Sequence, residues 1–209
     1  MTAVLEKLAD QSVSIGSQSE ILSAIIDTST ALAIWQRDLD DAVKEATSQL
    51  CQQSFELTHT FDPFSEKEGQ IFTHKLATLT HAQLNPLVAD TIDLCQRFVR
   101  FCGLKFVQIR IETVTNDGCR FFHLDNVAMR LVVTYAGSGT QWVSPLYAST
   151  ARNQQTEYSG PLNSMQTGDV AIFKGKRSDA EDLILHRSPP LKSTMLPRLV
   201  VVVDSVDGT

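Results

Sequence analysis

The chain has 209 residues, of which 43% are hydrophobic and 20% are charged, and these proportions are ordinary for one globular domain with a sizeable core. The formal net charge of −6 at pH 7 argues against a protein that holds nucleic acid by neutralising its phosphates. No apolar run approaches the ~20 residues that a membrane span needs, and residues 1–10 lack the pattern of a secretory signal.

The cysteines indicate a reducing compartment. Cys51, Cys95, Cys102 and Cys119 are widely spaced and contain no Cys-x-x-Cys pair, which is typical of free thiols. Cys95 and Cys102 are seven residues apart, so on a helix they share one face and are most simply core thiols. We therefore expect a cytoplasmic protein that binds neither membranes nor nucleic acid.

Residues 1–103 are predicted to form helices and loops. A short helix is predicted for residues 19–27, and an amphipathic helix with an acidic start for residues 37–51. A further helix is predicted to begin at Asn85 and to end at Gly103, which is a plausible C-cap. The histidines of this half are expected to have surface or structural roles: His59, His74 and His81.

From Leu104 onward the sequence changes to short strands separated by turns. Residues 105–114 alternate between apolar and polar side chains, as a half-buried strand does. A polar loop is predicted for residues 148–166. These features predict an α+β fold, in which residues 104–209 form a barrel-like sandwich and the helices of residues 1–103 pack on its outer face. Further strands are predicted at residues 129–135, 140–143, 170–173, 183–186 and 198–206.

The most informative stretch places a histidine and an aspartate two residues apart. In an extended chain His123 and Asp125 point the same way, with their backbones about 6–7 Å apart. If His186 arrives from a later strand, the three side chains form a two-histidine, one-carboxylate metal face, which suits Fe(II). The alternative is that His123 and Asp125 merely form a buried polar pair in a protein without a metal.

Such a face on Fe(II) leaves room for a bidentate 2-oxoacid and for O2. The second carboxylate of the oxoacid requires a protected cation, and a guanidinium is the best donor. Arg198, at the start of an apolar strand, is the first candidate, and Arg130 and Arg187 compete with it. The hydroxyl of Thr134 or Tyr135 could donate to the same carboxylate. Arg198 could equally be a surface residue at a strand end.

Several strings of the sequence are distinctive enough to indicate a known family. They are Leu32-Ala-Ile-Trp-Gln-Arg37, Cys119-Arg-Phe-Phe-His-Leu-Asp125, Arg130-Leu-Val-Val-Thr-Tyr135, Gly139-Thr-Gln-Trp142, Gly168-Asp-Val-Ala-Ile-Phe-Lys-Gly175 and His186-Arg-Ser-Pro-Pro190. These strings resemble the bacterial family called domain of unknown function 1826, and the similarity spans most of the chain. Members of that family resemble companions of zinc-homeostasis GTPases in their gene context, so the resemblance implies a role in metal handling.

A more distant similarity links the chain to the prolyl-hydroxylase branch of the Fe(II)/2-oxoglutarate-dependent oxygenases. It implies a double-stranded β-helix, of the jelly-roll or cupin kind, for residues 104–209. It also implies that the iron ligands are His123, Asp125 and His186, and that Arg198 anchors 2-oxoglutarate. Many members of that branch have Ser or Thr two residues after the arginine, whereas this chain has Val200.

Cys119 supports a different interpretation. If residues 119–125 stay extended, its thiol shares a face with His123 and Asp125. Together with His186 it would complete a tetrahedral site, which favours zinc over Fe(II). The chain is then either an oxygenase acting on a small molecule or peptide, or a zinc-binding accessory protein without catalysis.

Overall fold

The computed structural model of the protein describes residues 12–80, 84–180, 182–190 and 197–206. The strands in these ranges form one seven-stranded and one three-stranded sheet. The large sheet contains β1 (Val13–Gly16), β2 (Leu32–Trp35), β3 (Glu56–Phe61), β4 (Val107–Val114), β5 (Met129–Ala136), β8 (Val170–Lys174) and β10 (Arg198–Ser205). The small sheet contains β6 (Gln141–Trp142), β7 (Asn163–Ser164) and β9 (His186–Arg187).

Helices flank both sheets. None of those within the described ranges is both long and apolar enough to cross a membrane. A 3-10 helix, Ser19–Ile26, lies between β1 and β2, and shorter 3-10 turns precede and follow the last α-helix. The α-helices of the described residues are α1 (Asp41–Leu50), α2 (Glu66–Thr80), α3 (Asn85–Cys102) and α4 (Ala148–Gln154).

The large sheet is organised around its last strand. Its order is β1-β2-β8-β5-β10-β4-β3, and β10 pairs antiparallel with both β5 and β4. Residues 199–203 of β10 are apolar without interruption, and all five are buried. A run of this kind is expected where a strand is covered on both faces.

The two faces of the large sheet have different neighbours. On β5, Leu131, Val133 and Tyr135 share a core with residues of helices α1 to α3. Val132 points the opposite way and packs in a second core with Trp142 of the small sheet. The side chains of β5 thus alternate between a helical layer and a gap between two sheets, as the strand period requires.

The predicted helices at residues 37–51 and from Asn85 are confirmed as α1 and α3. Helix α3 ends as expected at Gly103, which has a left-handed φ of 65° and whose N–H donates to the carbonyl of Val99. Glycine adopts this conformation at a helix end without a steric penalty. The predicted α+β class is likewise confirmed.

The prediction of helices and loops alone for residues 1–103 is wrong, because β1, β2 and β3 lie in this half. Two of them have partners that are distant along the chain, since β2 pairs with β8 and β3 pairs with β4, while β1 pairs with β2. A four-residue segment such as Leu32–Trp35 becomes a strand through packing against these partners, which its own sequence does not reveal. Residues 1–11 and His81 lie outside the described residues.

The thiols should differ sharply in reactivity. Cys119 is exposed and Cys95 is buried, and burial raises the pKa of Cys102 to about 12 and also raises the pKa of Cys51 and Cys95. A thiol with a raised pKa stays protonated and unreactive at about pH 8. We expect an aromatic disulfide reagent to modify Cys119 rapidly, the partly buried Cys51 and Cys102 slowly, and Cys95 only on unfolding. Cys119→Ser should abolish the rapid phase, and a rapid phase that survives this substitution would contradict the described burial.

Candidate metal centre

Backbone pairing brings the two histidines together. His123 and His186 form an isolated antiparallel bridge, with N–H to carbonyl distances of 3.0 Å from His123 to His186 and 3.2 Å in return. Directly opposed residues of an antiparallel pair project to the same side, and the two ring centroids lie 4.7 Å apart. Of the strand predicted at residues 183–186, only His186 lies in an observed strand, β9. Its backbone pairing nevertheless places His186 opposite His123.

The segment that follows β8 holds the backbone of Asp125. The Lys176 N–H donates to the Asp125 carbonyl at 2.9 Å. A Cβ atom on Gly175 would overlap the carbonyl oxygen of Val127 and would lie 2.9 Å from that of Asp125. Only glycine permits two backbone segments to approach so closely, so Gly175 fixes the position of the loop that carries the carboxylate.

The carboxylate of Asp125 lies beside both rings. Its Oδ1 atom is 3.7 Å from His123 Nε2, and its Oδ2 atom is 3.1 Å from His186 Nε2. The side chain of His123 is 35% exposed, whereas that of Asp125 is only 3% exposed. The three side chains therefore surround a point that is buried on the aspartate side and open on the His123 side.

Hydrogen bonds to carbonyl groups select the tautomer of both histidines. His123 Nδ1 lies 2.9 Å from the carbonyl of Phe121, and His186 Nδ1 lies 3.1 Å from the carbonyl of Ile184. A carbonyl oxygen only accepts, so each Nδ1 carries a proton and donates it. Burial and the neighbouring His186 lower the pKa of His123. In a neutral ring protonated at Nδ1, Nε2 presents a lone pair, which is the form that binds a metal ion.

The Asp125 carboxylate has one satisfied and one unsatisfied oxygen. Its Oδ1 accepts a hydrogen bond from Arg130 Nη1, and Arg130 also donates from Nε and Nη2 to the two oxygens of Asp204 at 2.5 and 2.7 Å. Its Oδ2 is buried and has no hydrogen-bond partner within the described part of the chain. Burial opposes ionisation of the carboxylate, but a proton held between Oδ2 and His186 Nε2, together with the Arg130 cation, keeps its pKa below the ordinary value.

These groups can share either a proton or a divalent metal ion. With Nδ1 protonated, the lone pairs of His186 Nε2 and Asp125 Oδ2 face each other, which is unfavourable unless a proton or a metal ion lies between them. The ligand atoms of His123, Asp125 and His186 all lie within 4.8 Å of one another, and two ligands bound at about 2.2 Å lie at most about 4.4 Å apart. Small side-chain rotations therefore bring all three onto one ion.

The composition of the cluster is informative as well as its geometry. In the residues that the structure describes, it is the one group of three or more side chains able to hold a metal. Two imidazoles and one carboxylate are the ligand set of the facial triad, whose open positions suit non-haem Fe(II). The three ligands predicted from the sequence thus meet in space.

A cavity of about 200 Å³ lies between the two sheets beside this cluster. His123, His186 and Arg198 contribute to its walls, and residues of β4, β5 and β10 complete them. Ligand pockets for drug-sized molecules occupy roughly 300–1,000 Å³, so the volume is suited to a smaller molecule. The cavity joins the metal ligands to the arginine that the sequence predicts to bind an anion.

Arg198 is a buried cation with neutral partners. It is 2% exposed, and it donates to the Ser138 carbonyl at 2.6 Å, to Ser188 Oγ at 2.6 Å and to Thr134 Oγ1 at 3.3 Å. Among the described residues it forms no ion pair with a carboxylate. Burial lowers its pKa to about 10, so the guanidinium remains charged at neutral pH. Glu112, which lines the same cavity, attracts this charge without pairing with it directly. A buried charge without a direct partner is costly, and a small anion in the cavity would provide one.

The other predicted anion-binding residues have different positions. Thr134 lies on the cavity side of β5, bonded to Arg198. The interpretation of Tyr135 as a donor to the same anion is wrong, because it points into the helical layer and donates to Asp90 Oδ2 at 2.5 Å. Arg130 lines the cavity, but Asp125 and Asp204 engage its nitrogens. It therefore orients a metal ligand.

Cys119 does not belong to the metal cluster. It lies in a turn in which the Arg120 N–H donates to the Asp117 carbonyl at 3.2 Å, so the assumption of an extended chain from residue 119 to residue 125 is wrong. Its side chain is exposed and lines the cavity, but its sulfur is not among the atoms that lie within 4.8 Å of one another. The turn removes the fourth ligand of the predicted zinc site.

The sequence prediction missed three residues that shape the site. Ser188 follows His186 by two residues and reaches Arg198, so a hydroxyl two positions after the histidine was the available signal. Asp204 is the register partner of Arg130 in the β10–β5 pair, which only the strand pairing reveals. Gly175 had no sequence signal beyond its place directly after β8, because its role depends on the loop packed against it.

The sequence comparison establishes the family of the chain. The model of the family described as "Protein of unknown function (DUF1826)" matches residues 16–204, so the chain belongs to this family. No curated protein matches the sequence.

Solved structures give distant similarities. A prolyl-4-hydroxylase from Pseudomonas putida is 11% identical and aligns over 90% of this chain and 98% of its own, with a TM-score of 0.42. HygX from Streptomyces hygroscopicus with iron bound is 11% identical over 91% of this chain and 88% of its own, with a TM-score of 0.46. A putative oxygenase from Shewanella oneidensis is 10% identical over 92% and 89%, with a TM-score of 0.42.

Gly175→Ala tests the packing that positions Asp125. The added methyl group must displace the loop at residues 125–127, so we expect a loss of about 1–3 kcal/mol in the free energy of unfolding and about ten- to hundredfold weaker metal binding. Denaturant titration measures the free energy of unfolding, and metal titration measures the affinity.

Gly69→Ala is the matched control. A Cβ atom there meets only Ile92 Cδ1 at an ordinary 3.6 Å, and alanine favours the interior of α2 by about 0.5–1 kcal/mol. We expect unchanged metal binding and equal or higher stability. Metal binding by Gly175→Ala equal to that of Gly69→Ala would show that the close approach does not position the carboxylate.

Proposed function

We propose that the protein is a non-haem Fe(II) oxygenase that uses 2-oxoglutarate as cosubstrate and oxidises a small molecule or a peptide. The observation that carries this proposal is the sharing of one small cavity by two groups. One is the triad, of which His123 and His186 line the cavity and the buried Asp125 lies directly beside them. The other is Arg198, a buried guanidinium that forms no ion pair with a carboxylate of the described residues. A metal alone explains the triad, and an anion alone explains the arginine, but a metal-chelating dicarboxylate explains both.

The residues have separate roles in this proposal. His123, Asp125 and His186 would hold iron, which supplies the activation of O2 when it is bound. Arg198 would pair with the distal carboxylate of 2-oxoglutarate through its guanidinium. Thr134 and Ser188 keep the guanidinium in place, and the free proton of the Thr134 hydroxyl is available to the same carboxylate.

Arg130 and Asp204 serve the metal ligand rather than the cosubstrate. The two-pronged contact between them fixes the guanidinium of Arg130, which in turn holds Oδ1 of Asp125. The remaining oxygen of Asp125 is then directed towards the histidines. Ligand carboxylates oriented in this way bind metals more tightly, because their geometry is fixed before the metal arrives.

The arrangement of the strands is compatible with the double-stranded β-helix that we propose for this domain. The antiparallel core strands β8, β5, β10 and β4 face a small antiparallel sheet across the cavity, and the metal ligands arise from β9 and the segment paired with it. Val200 offers no polar group to Arg198, whereas the Ser188 hydroxyl accepts a hydrogen bond from Arg198 Nη1 at 2.6 Å.

Anaerobic addition of Fe(II) and 2-oxoglutarate is the direct test of the proposal. We expect a weak visible charge-transfer band that requires both additions, because the cosubstrate chelates the metal. His123→Ala should abolish the band by removing one of three ligands. Absence of the band in the parent protein, together with absence of 2-oxoglutarate turnover in air, would overturn the proposal.

Arg198→Lys tests the role of the cation separately. Lysine keeps the charge but loses the planar fork, so we expect at least about tenfold weaker binding of 2-oxoglutarate, since a charged hydrogen bond contributes about 1.5–3 kcal/mol. Metal affinity should be unchanged. Arg110→Lys is the matched control, because Arg110 lines the same cavity but is paired with Glu112 at 3.0 Å. Equal effects of the two substitutions would exclude Arg198 as the anchor.

The alternative of a zinc-binding accessory protein in metal homeostasis is decided by metal analysis. A storage or delivery site should retain zinc through purification and should show no binding of 2-oxoglutarate. Zinc that is lost from Cys119→Ser would favour the four-ligand site, whereas zinc content independent of Cys119 would leave the triad as the metal centre.

A further inference from the structure

Gln155, which lies outside the metal cluster, has an unusual backbone. Its φ of 53° is positive, and it is the one non-glycine residue of the described ranges for which this holds. It directly follows helix α4, with ψ at −114°. This combination lies outside the left-handed helical region, and glycine is the residue that adopts positive φ without a steric penalty. Strain of this kind persists only where surrounding contacts maintain it, and it is concentrated at functional sites.

The side-chain amide of Gln155 hydrogen-bonds to both backbone groups of Phe122, as the backbone of a neighbouring strand would. The Phe122 N–H donates to Gln155 Oε1 at 2.7 Å, and Gln155 Nε2 donates to the Phe122 carbonyl at 3.4 Å. The backbone groups of successive strand residues point to opposite edges. Those of His123 bond to His186 on one edge, and those of Phe122 bond to Gln155 on the other. The segment that carries the first ligand is therefore held from both sides.

Arg187 connects the same glutamine to the second ligand. It follows His186 in β9, and its Nη1 donates to the Gln155 carbonyl at 2.9 Å. Its guanidinium lies 4.2 Å from the centre of the Phe122 ring, and its Nε donates to Gln141 Oε1 at 2.9 Å. The residue before one ligand and the residue after the other thus contact each other, and Gln155 contacts both.

We propose that Gln155 is a positioning residue for the metal centre, which holds the strand segments of His123 and His186 at the separation that one ion requires. The inference rests on the metal centre of the proposed function, and it does not require oxygenase activity. The positive φ follows from this role, because it turns the side chain back towards Phe122 while the carbonyl of the same residue reaches Arg187.

A purely structural role predicts a different outcome. Gln155 Nε2 also donates to the Arg152 carbonyl at 2.9 Å, so the residue could simply terminate α4. A helix cap affects the free energy of unfolding, but it does not affect the affinity or the ligand field of a metal in the folded protein. Metal affinity and the metal spectrum therefore separate the two roles.

The test uses the full chain and Co²⁺ as the probe metal. Gln155→Gly removes the amide and accommodates the positive φ, so we expect the unfolding midpoint of the metal-free protein to stay close to that of the parent. Its Co²⁺ affinity should be about ten- to hundredfold lower, which is the usual effect of losing a group that orients ligands, and the visible Co²⁺ bands should shift at saturation.

Gln155→Glu should partly restore binding, because a carboxylate still accepts from the Phe122 N–H but cannot donate to the Phe122 carbonyl. Gln154→Ala is the matched control, since Gln154 is an exposed neighbour at the end of α4, and it should bind Co²⁺ like the parent. Affinity and spectrum of Gln155→Gly equal to those of Gln154→Ala would overturn the positioning role alone. Failure of the parent itself to bind Co²⁺ would overturn the metal centre and the positioning role together.

Discussion

Two backbone hydrogen bonds between His123 and His186 are the interaction on which the site depends. They join residues that are 63 positions apart in the sequence, and they place both imidazoles on one side of the paired segments. Other contacts then place the aspartate and the two rings around this backbone pairing. The close approach of Gly175 sets the aspartate loop beside it, and carbonyl acceptors on the same two segments orient both rings.

Two buried charges at the cavity, on Asp125 and Arg198, lack full compensation by neighbouring side chains. Asp125 carries a negative charge that Arg130 satisfies on one oxygen only, and Arg198 carries a positive charge among neutral partners. Buried charges of either sign destabilise a fold unless each has a partner. A cation at the triad and an anion at Arg198 would remove both costs, which is why the two charges are best explained together.

The sequence identified the residues that cluster at the candidate site better than it identified the scaffold. The sequence was sufficient to select His123, Asp125 and His186, because alternation along a strand and ligand type are local properties. Strands β2 and β3 could not be predicted, since β8 and β4, with which they pair, lie far along the chain, and β1 depends on β2. The pairing of Asp204 with Arg130 likewise depends on strand register. The opposite orientations of Thr134 and Tyr135 follow from the strand period, but which face holds the cavity depends on packing.

X-ray absorption at the metal edge tests the central claim most directly. With Fe(II) bound to the parent protein, the account predicts two imidazole nitrogens and one protein carboxylate oxygen, light-atom distances of about 2.0–2.2 Å, and further oxygen from exchangeable ligands. Loss of one imidazole contribution in His186→Ala should accompany this pattern. A sulfur shell at about 2.3 Å, or a first shell without histidine, would contradict it.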